Sequence, residues 1–202
     1  MPVAVASPTV TKTGRVYRLN GQRVPSVTDI LSFVVDDLGY LDQDMLMKAA
    51  ERGTEVHTLT EEYDLGTLDW ATVPENRKGY LDAYLQFHND YRWEVHQVEQ
   101  VVGNTKYRYA GTVDRTGWIR KLHDDEVVLD IKSGAPQAMT ALQLAGYEAA
   151  LDRKLRRYSL HLSQDGSYVL KEYAEASDRG VFLSAAAVAH WKLNHGKSRF
   201  RE

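Results

Sequence analysis

Two segments with strand-like alternation constrain this chain most: Tyr109-Ala-Gly-Thr-Val-Asp114 and, beyond a short polar stretch, Glu126-Val-Val-Leu-Asp-Ile-Lys-Ser133. In the second, Val127, Leu129 and Ile131 point one way while Val128, Asp130 and Lys132 point the other, because strand side chains alternate with a period of two. In the first, Arg108, Ala110, Thr112 and Asp114 oppose Tyr107, Tyr109, Gly111 and Val113. Lys121-Leu-His-Asp-Asp125 reads as a hairpin loop between them. Centred on His123, it pairs Asp114 with Lys132 and Thr116 with Asp130, making Asp114 and Asp130 diagonal neighbours about 7–8 Å apart at the backbone. A one-residue slip in register would separate them. Two such carboxylates can hold a hard divalent cation, with the Lys132 ammonium beside a bound water. That equipment suits phosphodiester hydrolysis; the alternative is a surface hairpin with solvated charges.

Three further segments bear on the pair. A helical pattern from about Asp42 to Tyr63 contains His57 and Glu61 one turn apart on one face. A neutral His57 imidazole would make a third metal ligand, although a helix histidine can equally be a partnered structural residue. Ala49, Ala50 and Gly53 point to close approach of another backbone, since glycine is costly inside a helix. After the turn Ser133-Gly-Ala-Pro136, a helix containing Gln143 and Tyr147 sets both on one face, toward the site or, for Gln143, simply outward. Glu99 lies in the strand-like run Glu94 to Val102. A turn at Gly103-Asn104 puts it opposite Ala110, about two pairs from Asp114, as a supporting group, an additional ligand or an ordinary solvated glutamate.

Around these segments the expected fold class is α/β, a mixed central sheet flanked by helices. Residues 1–14 read as a loose N-terminal arm and 15–202 as a single domain, a length that supports a sizeable core. Arg15 to Asn20 and Gln22 to Val24 suggest a hairpin around Gly21, with Ser26 or Thr28 capping a helix to about Val35. Asp69 to Pro74 is a connection, followed by a helix from about Glu75 to Arg92. Its Tyr80, Tyr84 and Phe87 recur at apolar spacing, as core or as a base-stacking platform. Tyr158 to Ser163 and Ser167 to Tyr173 flank a Gln-Asp-Gly166 turn, and a last helix spans about Asp178 to His195.

Taken in order, Arg52-Gly-Thr-x-x-His57, Gly111-Thr-x-Asp114, Asp130-x-Lys132 and Gln143-x-x-x-Tyr147 resemble the RecB-like branch of the PD-(D/E)XK nuclease superfamily. The opening Tyr17-Arg-Leu-Asn-Gly21 and Pro25-Ser-Val-Thr-Asp-Ile-Leu31 are similar to the start of phage exonucleases of that branch, and to the mitochondrial genome maintenance exonuclease. The resemblance covers residues from about 15 to 175. It implies a restriction-endonuclease-like core and metal-dependent hydrolysis of DNA, single-stranded and from an end, in repair, recombination or phage DNA processing. It further implies Mg²⁺ or Mn²⁺ held by His57, Asp114, Asp130 and the carbonyl of Ile131. Lys132 then orients the attacking water or helps deprotonate it, and Gln143 and Tyr147 support the site and contact the substrate backbone. Several relatives carry a four-cysteine iron–sulfur cluster; this chain has no cysteine and cannot.

Charge narrows the partners. A net charge of −3 is unusual for a nucleic-acid binder, but clustered acids awaiting a cation distort the total. Arg52, the basic run Arg153, Lys154, Arg156 and Arg157, and the tail Lys197 to Arg201 are the cations to test against phosphate; the two basic runs read equally as a solvated turn and a frayed end. No segment reads as a membrane span or signal peptide, so cytoplasmic residence is expected, with a helicase or recombinase as a conceivable partner. Two other classes stay open: a catalytically silent DNA-binding or scaffold module, and a protein with a purely structural ion. Intact Asp114, Asp130 and Lys132 argue against the first.

Overall fold

The computed structural model describes residues 9–33 and 43–196. Three short strands, β1 (Val10–Thr13), β2 (Val16–Leu19) and β3 (Gln22–Val24), form an antiparallel sheet. The expected loose arm is thus corrected in part: residues 10–13 pair with β2, from Val10 opposite Leu19 to Thr13 opposite Val16. Ser26 caps α1 (Val27–Ser32) through a full capping box with Asp29, satisfying two orphan donors of the first turn. The expected end of that helix near Val35 lies outside the described residues, as does the basic tail from Lys197.

The long helix α2 (Gln43–Asp64) is followed by 3-10 turns at Trp70–Thr72 and Glu75–Arg77, then α3 (Lys78–Tyr91). Next come β4 (Trp93–Asn104), β5 (Tyr109–Ile119) and β6 (Glu126–Lys132), then α4 (Met139–Leu151), β7 (Arg156–Leu162), β8 (Tyr168–Glu172) and α5 (Asp178–His195). The main sheet has the order β4-β5-β6-β7-β8. Only β6 and β7 run parallel, since α4 alone supplies the crossover a parallel pair requires. The chain is an α/β protein with a mixed five-stranded sheet flanked by helices.

Both faces of that sheet are covered. Val127, Leu129, Ile131 and Leu160 pack with Tyr80, Tyr84 and Phe87 of α3 and Val56 of α2, so the α3 aromatics are core. Val113 and Val128 pack on the other side with α1, α4 and α5. Double coverage explains why β6 is apolar on both sides until Asp130 and Lys132, where it emerges at the helix-flanked end of the sheet.

Two registers differ from expectation. Thr116 pairs with Val128, not Asp130, a shift of two residues that preserves the face and carries Asp114 toward Asp130. The β4–β5 hairpin turns beyond Asn104, which itself pairs with Tyr109. Val98–Arg115 and Gln100–Val113 therefore bracket Glu99 and Asp114, and Glu99 stands opposite Asp114 instead of two pairs away.

Candidate metal centre

The site forms where β5 and β6 part. Their last ladder pair is Arg115–Leu129; beyond it, Asp114 Oδ2 accepts a hydrogen bond from the Ile131 N–H at 2.8 Å. Alternation slips here. Val113 packs toward α4, yet Arg115, two residues on, reaches α2 on the opposite side through Asp64. Across from Asp114, Glu99 has φ +48°, a left-handed backbone that is uncommon for a residue with a Cβ. These two irregularities turn Asp114 and Glu99 toward α2, whose His57 Nδ1 lies 3.7 Å from Asp114 Oδ2. One ligand atom each from His57, Glu99 and Asp114 lies within 4.8 Å of the others. Burial, reinforced by the Asp114 charge, raises the Glu99 carboxyl above its ordinary value.

Asp130 stands beside this triad and outside it. It is 1 % exposed, and its Oδ1 accepts from Lys132 Nζ and Gln143 Nε2, both at 3.0 Å. Oδ2 lies 2.9 Å from Lys132 Nζ but receives no hydrogen bond of proper geometry. Burial pushes the carboxyl up to about 6, against the attraction of Lys132. Burial by itself would lower the Lys132 ammonium, but Asp130 and Asp114 outweigh it and hold it above its usual range. Gln143 Nε2 also meets the Tyr147 hydroxyl at 3.1 Å, whose phenol is raised well above normal by burial and then by the two aspartates. Gln143 and Tyr147 thus face the site, the first of the two readings open for them. Gly111 makes room for Tyr147: a Cβ there would sit 2.8 Å from the tyrosine ring.

Sequence reasoning missed Arg115, which is completely buried. Its guanidinium bonds Asp64 at the end of α2 and the Asp114 carbonyl, and lies 3.4 Å from Glu99 Oε1. Asp64 is further held by the Tyr84 hydroxyl at 2.6 Å. An arginine directly after Asp114, in a run otherwise apolar enough for core, is the signal that could have found it.

A cleft of about 700 Å³ opens over the centre, lined by Arg52, His57, Glu61, Glu99, Lys132 and Gln143. The small α2 residues serve this opening and not a close backbone contact: a Cβ on Gly53 would meet only Ser133 Oγ, at 3.8 Å. The basic run lies elsewhere. Arg153 pairs with Glu126 and Arg156 with Asp125, while Lys154, Arg156 and Arg157 line a separate hollow with Tyr173. The reading of Arg157 as a phosphate contact is corrected, since it is buried between Asp178 at 3.0 Å and Glu148 at 3.7 Å.

Among the described residues no helix is long and apolar enough to cross a membrane. No protein-family model matches the chain, and no curated protein matches it. Among solved structures it is similar to the crystal structure of SSO0001, with a TM-score of 0.36 and 16% sequence identity over 60% of this chain. The match spans 60% of that structure's own chain.

Proposed function

We propose that the cleft is the active site of a divalent-metal-dependent deoxyribonuclease of the PD-(D/E)XK type, acting on single strands from a free end. The observation that carries this reading is the convergence of His57, Glu99 and Asp114 within 4.8 Å beside the Asp130–Lys132 pair. The donor set fits Mg²⁺ or Mn²⁺: hard carboxylate oxygens dominate, with one imidazole that favours Mn²⁺. The buried Asp130 Oδ2, lacking a hydrogen bond, is a further carboxylate oxygen near enough to feel Asp114 and His57. A divalent ion held there supplies Lewis acidity to a phosphate oxygen and lowers the pKa of bound water.

The chain's own groups do the rest. Asp114 is positioned by the Ile131 N–H, and Gln143 orients the Asp130 carboxylate while Tyr147 steadies Gln143. Lys132, held protonated by its carboxylate neighbours, offsets negative charge developing on the phosphate and is poorly suited to accept the water's proton. The helices α1 to α3 precede the main sheet, and α2 lines the cleft; a strand threaded between α2 and the sheet would enter by its end.

End-labelled linear and closed circular DNA, single- and double-stranded, incubated with Mg²⁺ or Mn²⁺, tests this. Linear single strands are expected to be degraded while a closed single-stranded circle of matched sequence persists. Cutting of the circle would make the enzyme an endonuclease and remove the threading argument. No cleavage of any form would remove the nuclease reading.

A further inference from the structure

The cleft also carries a set of donors that the metal chemistry does not use. The helix α4 begins there with Ala138 at its N-cap, no side-chain cap and no acidic residue in its first turn. Thr140 N–H and Ala141 N–H bond back to Gln137 and Ala138 carbonyls, but the Met139 N–H has no acceptor among the described residues. Thr140 is only 4 % exposed, lines the cleft, and has no hydrogen bond to its hydroxyl among the described residues. Its oxygen keeps a small opening to the cleft, so the hydroxyl is free to bond what enters there. In the same cleft, Arg52 is held by its Nε, which donates to the Ser133 carbonyl at 3.2 Å and Ser133 Oγ at 3.4 Å. Both terminal guanidinium nitrogens are left without a partner among the described residues.

We propose that Arg52, the Thr140 hydroxyl and the N-terminus of α4 form a phosphate subsite, which takes a second phosphate of the strand whose scissile group lies at the metal centre. A helix N-terminus with free N–H groups favours an anion through its dipole and its donors. Arg52 adds full charge with two donors suited to phosphate oxygens, and Thr140 adds a neutral donor fixed by burial. The subsite and the carboxylates share one cleft, so an anion held by the first and a cation held by the second would bind the same strand at two points. The subsite rests on the nuclease reading for its role in the strand, but its anion chemistry stands apart from hydrolysis.

The test is titration of inorganic phosphate into the whole metal-free protein in EDTA, followed by calorimetry. Saturable binding is expected, weakened about tenfold or more by Thr140→Val and by Arg52→Gln, since each removes a hydrogen bond to a charged partner. Arg153→Gln, on a residue paired away from the cleft, should bind like the parent. Single-stranded oligothymidylates with a 5′-phosphate, a 3′-phosphate or two hydroxyl ends then distinguish the sources. A Thr140→Val penalty confined to one phosphorylated end assigns a terminal phosphate, and an equal penalty on all three assigns an internal one. Absence of saturable phosphate binding, or both cleft variants binding phosphate like the parent while folded by circular dichroism, would overturn the subsite. Phosphate binding without DNA cleavage would sink the nuclease reading alone, and cleavage without phosphate binding the subsite alone.

Discussion

Asp130 is an expensive residue for the metal-free protein. Its carboxyl is pushed up to about 6 from an ordinary value of 3.8, chiefly by burial. Between those two values the folded chain keeps a proton that the unfolded chain has already released. Stability contributed at this position therefore declines as pH rises through that window, and the full cost is present above about 6. Asp130→Asn removes the charge at almost constant volume and keeps an oxygen for Lys132 and Gln143. In EDTA the variant should melt no lower than the parent at neutral pH, with its relative advantage growing as pH is raised from 4 to 7. It should also lose most cleavage and most of the melting increase produced by Mn²⁺, because ligand binding to the folded state alone stabilises by mass action. A variant that melts well below the parent in EDTA would show that Asp130 contributes structure and not a function held at a stability cost.

At the scale of elements, α2 carries His57 and is tied to the sheet by apolar packing of Val56 and by a buried ion pair, Arg115 with Asp64. The Asp64 carboxyl is held below its usual range: burial opposes this, but His88, Arg115 and Tyr84 outweigh it. Arg115→Leu would strand that carboxylate away from water, and breaking a buried pair by removing one partner costs about 3–5 kcal/mol. Urea unfolding should show a loss of this size, and Asp64→Leu added to Arg115→Leu should recover part of it. A loss under about 1 kcal/mol, the range of a surface pair, would mean that α2 is held by apolar packing alone. Elements were legible where one period ran unbroken. Apolar spacing placed α3 within a few residues, and the polar loops around His123 and Gly166 placed two hairpins. The centre itself is built where the period breaks. Glu99 at positive φ and the slip between Val113 and Arg115 carry no glycine, proline or turn signal, so strict alternation did not show Asp114 and Glu99 turning together toward α2. Gly103-Asn104 misled for a related reason: it resembles a tight hairpin turn, while the strand runs through it because Asn104 caps the next turn, accepting from the Tyr107 N–H at 3.0 Å.

For the whole molecule the question is how a chain of net charge −3 holds a polyanion. The cleft brings Glu61, Glu99 and the Asp114–Asp130 region together, and only Arg52 and Lys132 stand against them among the cations lining it. Lys132 is already neutralised locally by Asp130. Arg153, Arg156 and Arg157 are paired with acids away from the cleft, so among the described residues that run offers no free basic face beside it. Strand binding should then depend on the ion. Ca²⁺ is a hard cation that accepts many oxygen ligands in flexible geometry, so it can neutralise the carboxylates without reproducing the tighter geometry of Mg²⁺. Fluorescence anisotropy of a labelled single strand is expected to report binding at least about tenfold tighter in Ca²⁺ than in EDTA, a change that corresponds to about 1.4 kcal/mol. The gain should vanish in Asp114→Asn, which removes the carboxylate shared by the triad. It should survive in Arg156→Gln, whose side chain lies beyond the cleft. Equal affinity in EDTA and Ca²⁺ would mean that the strand is held by a surface other than this cleft, and the metal centre would then have to be explained without a nucleic-acid partner.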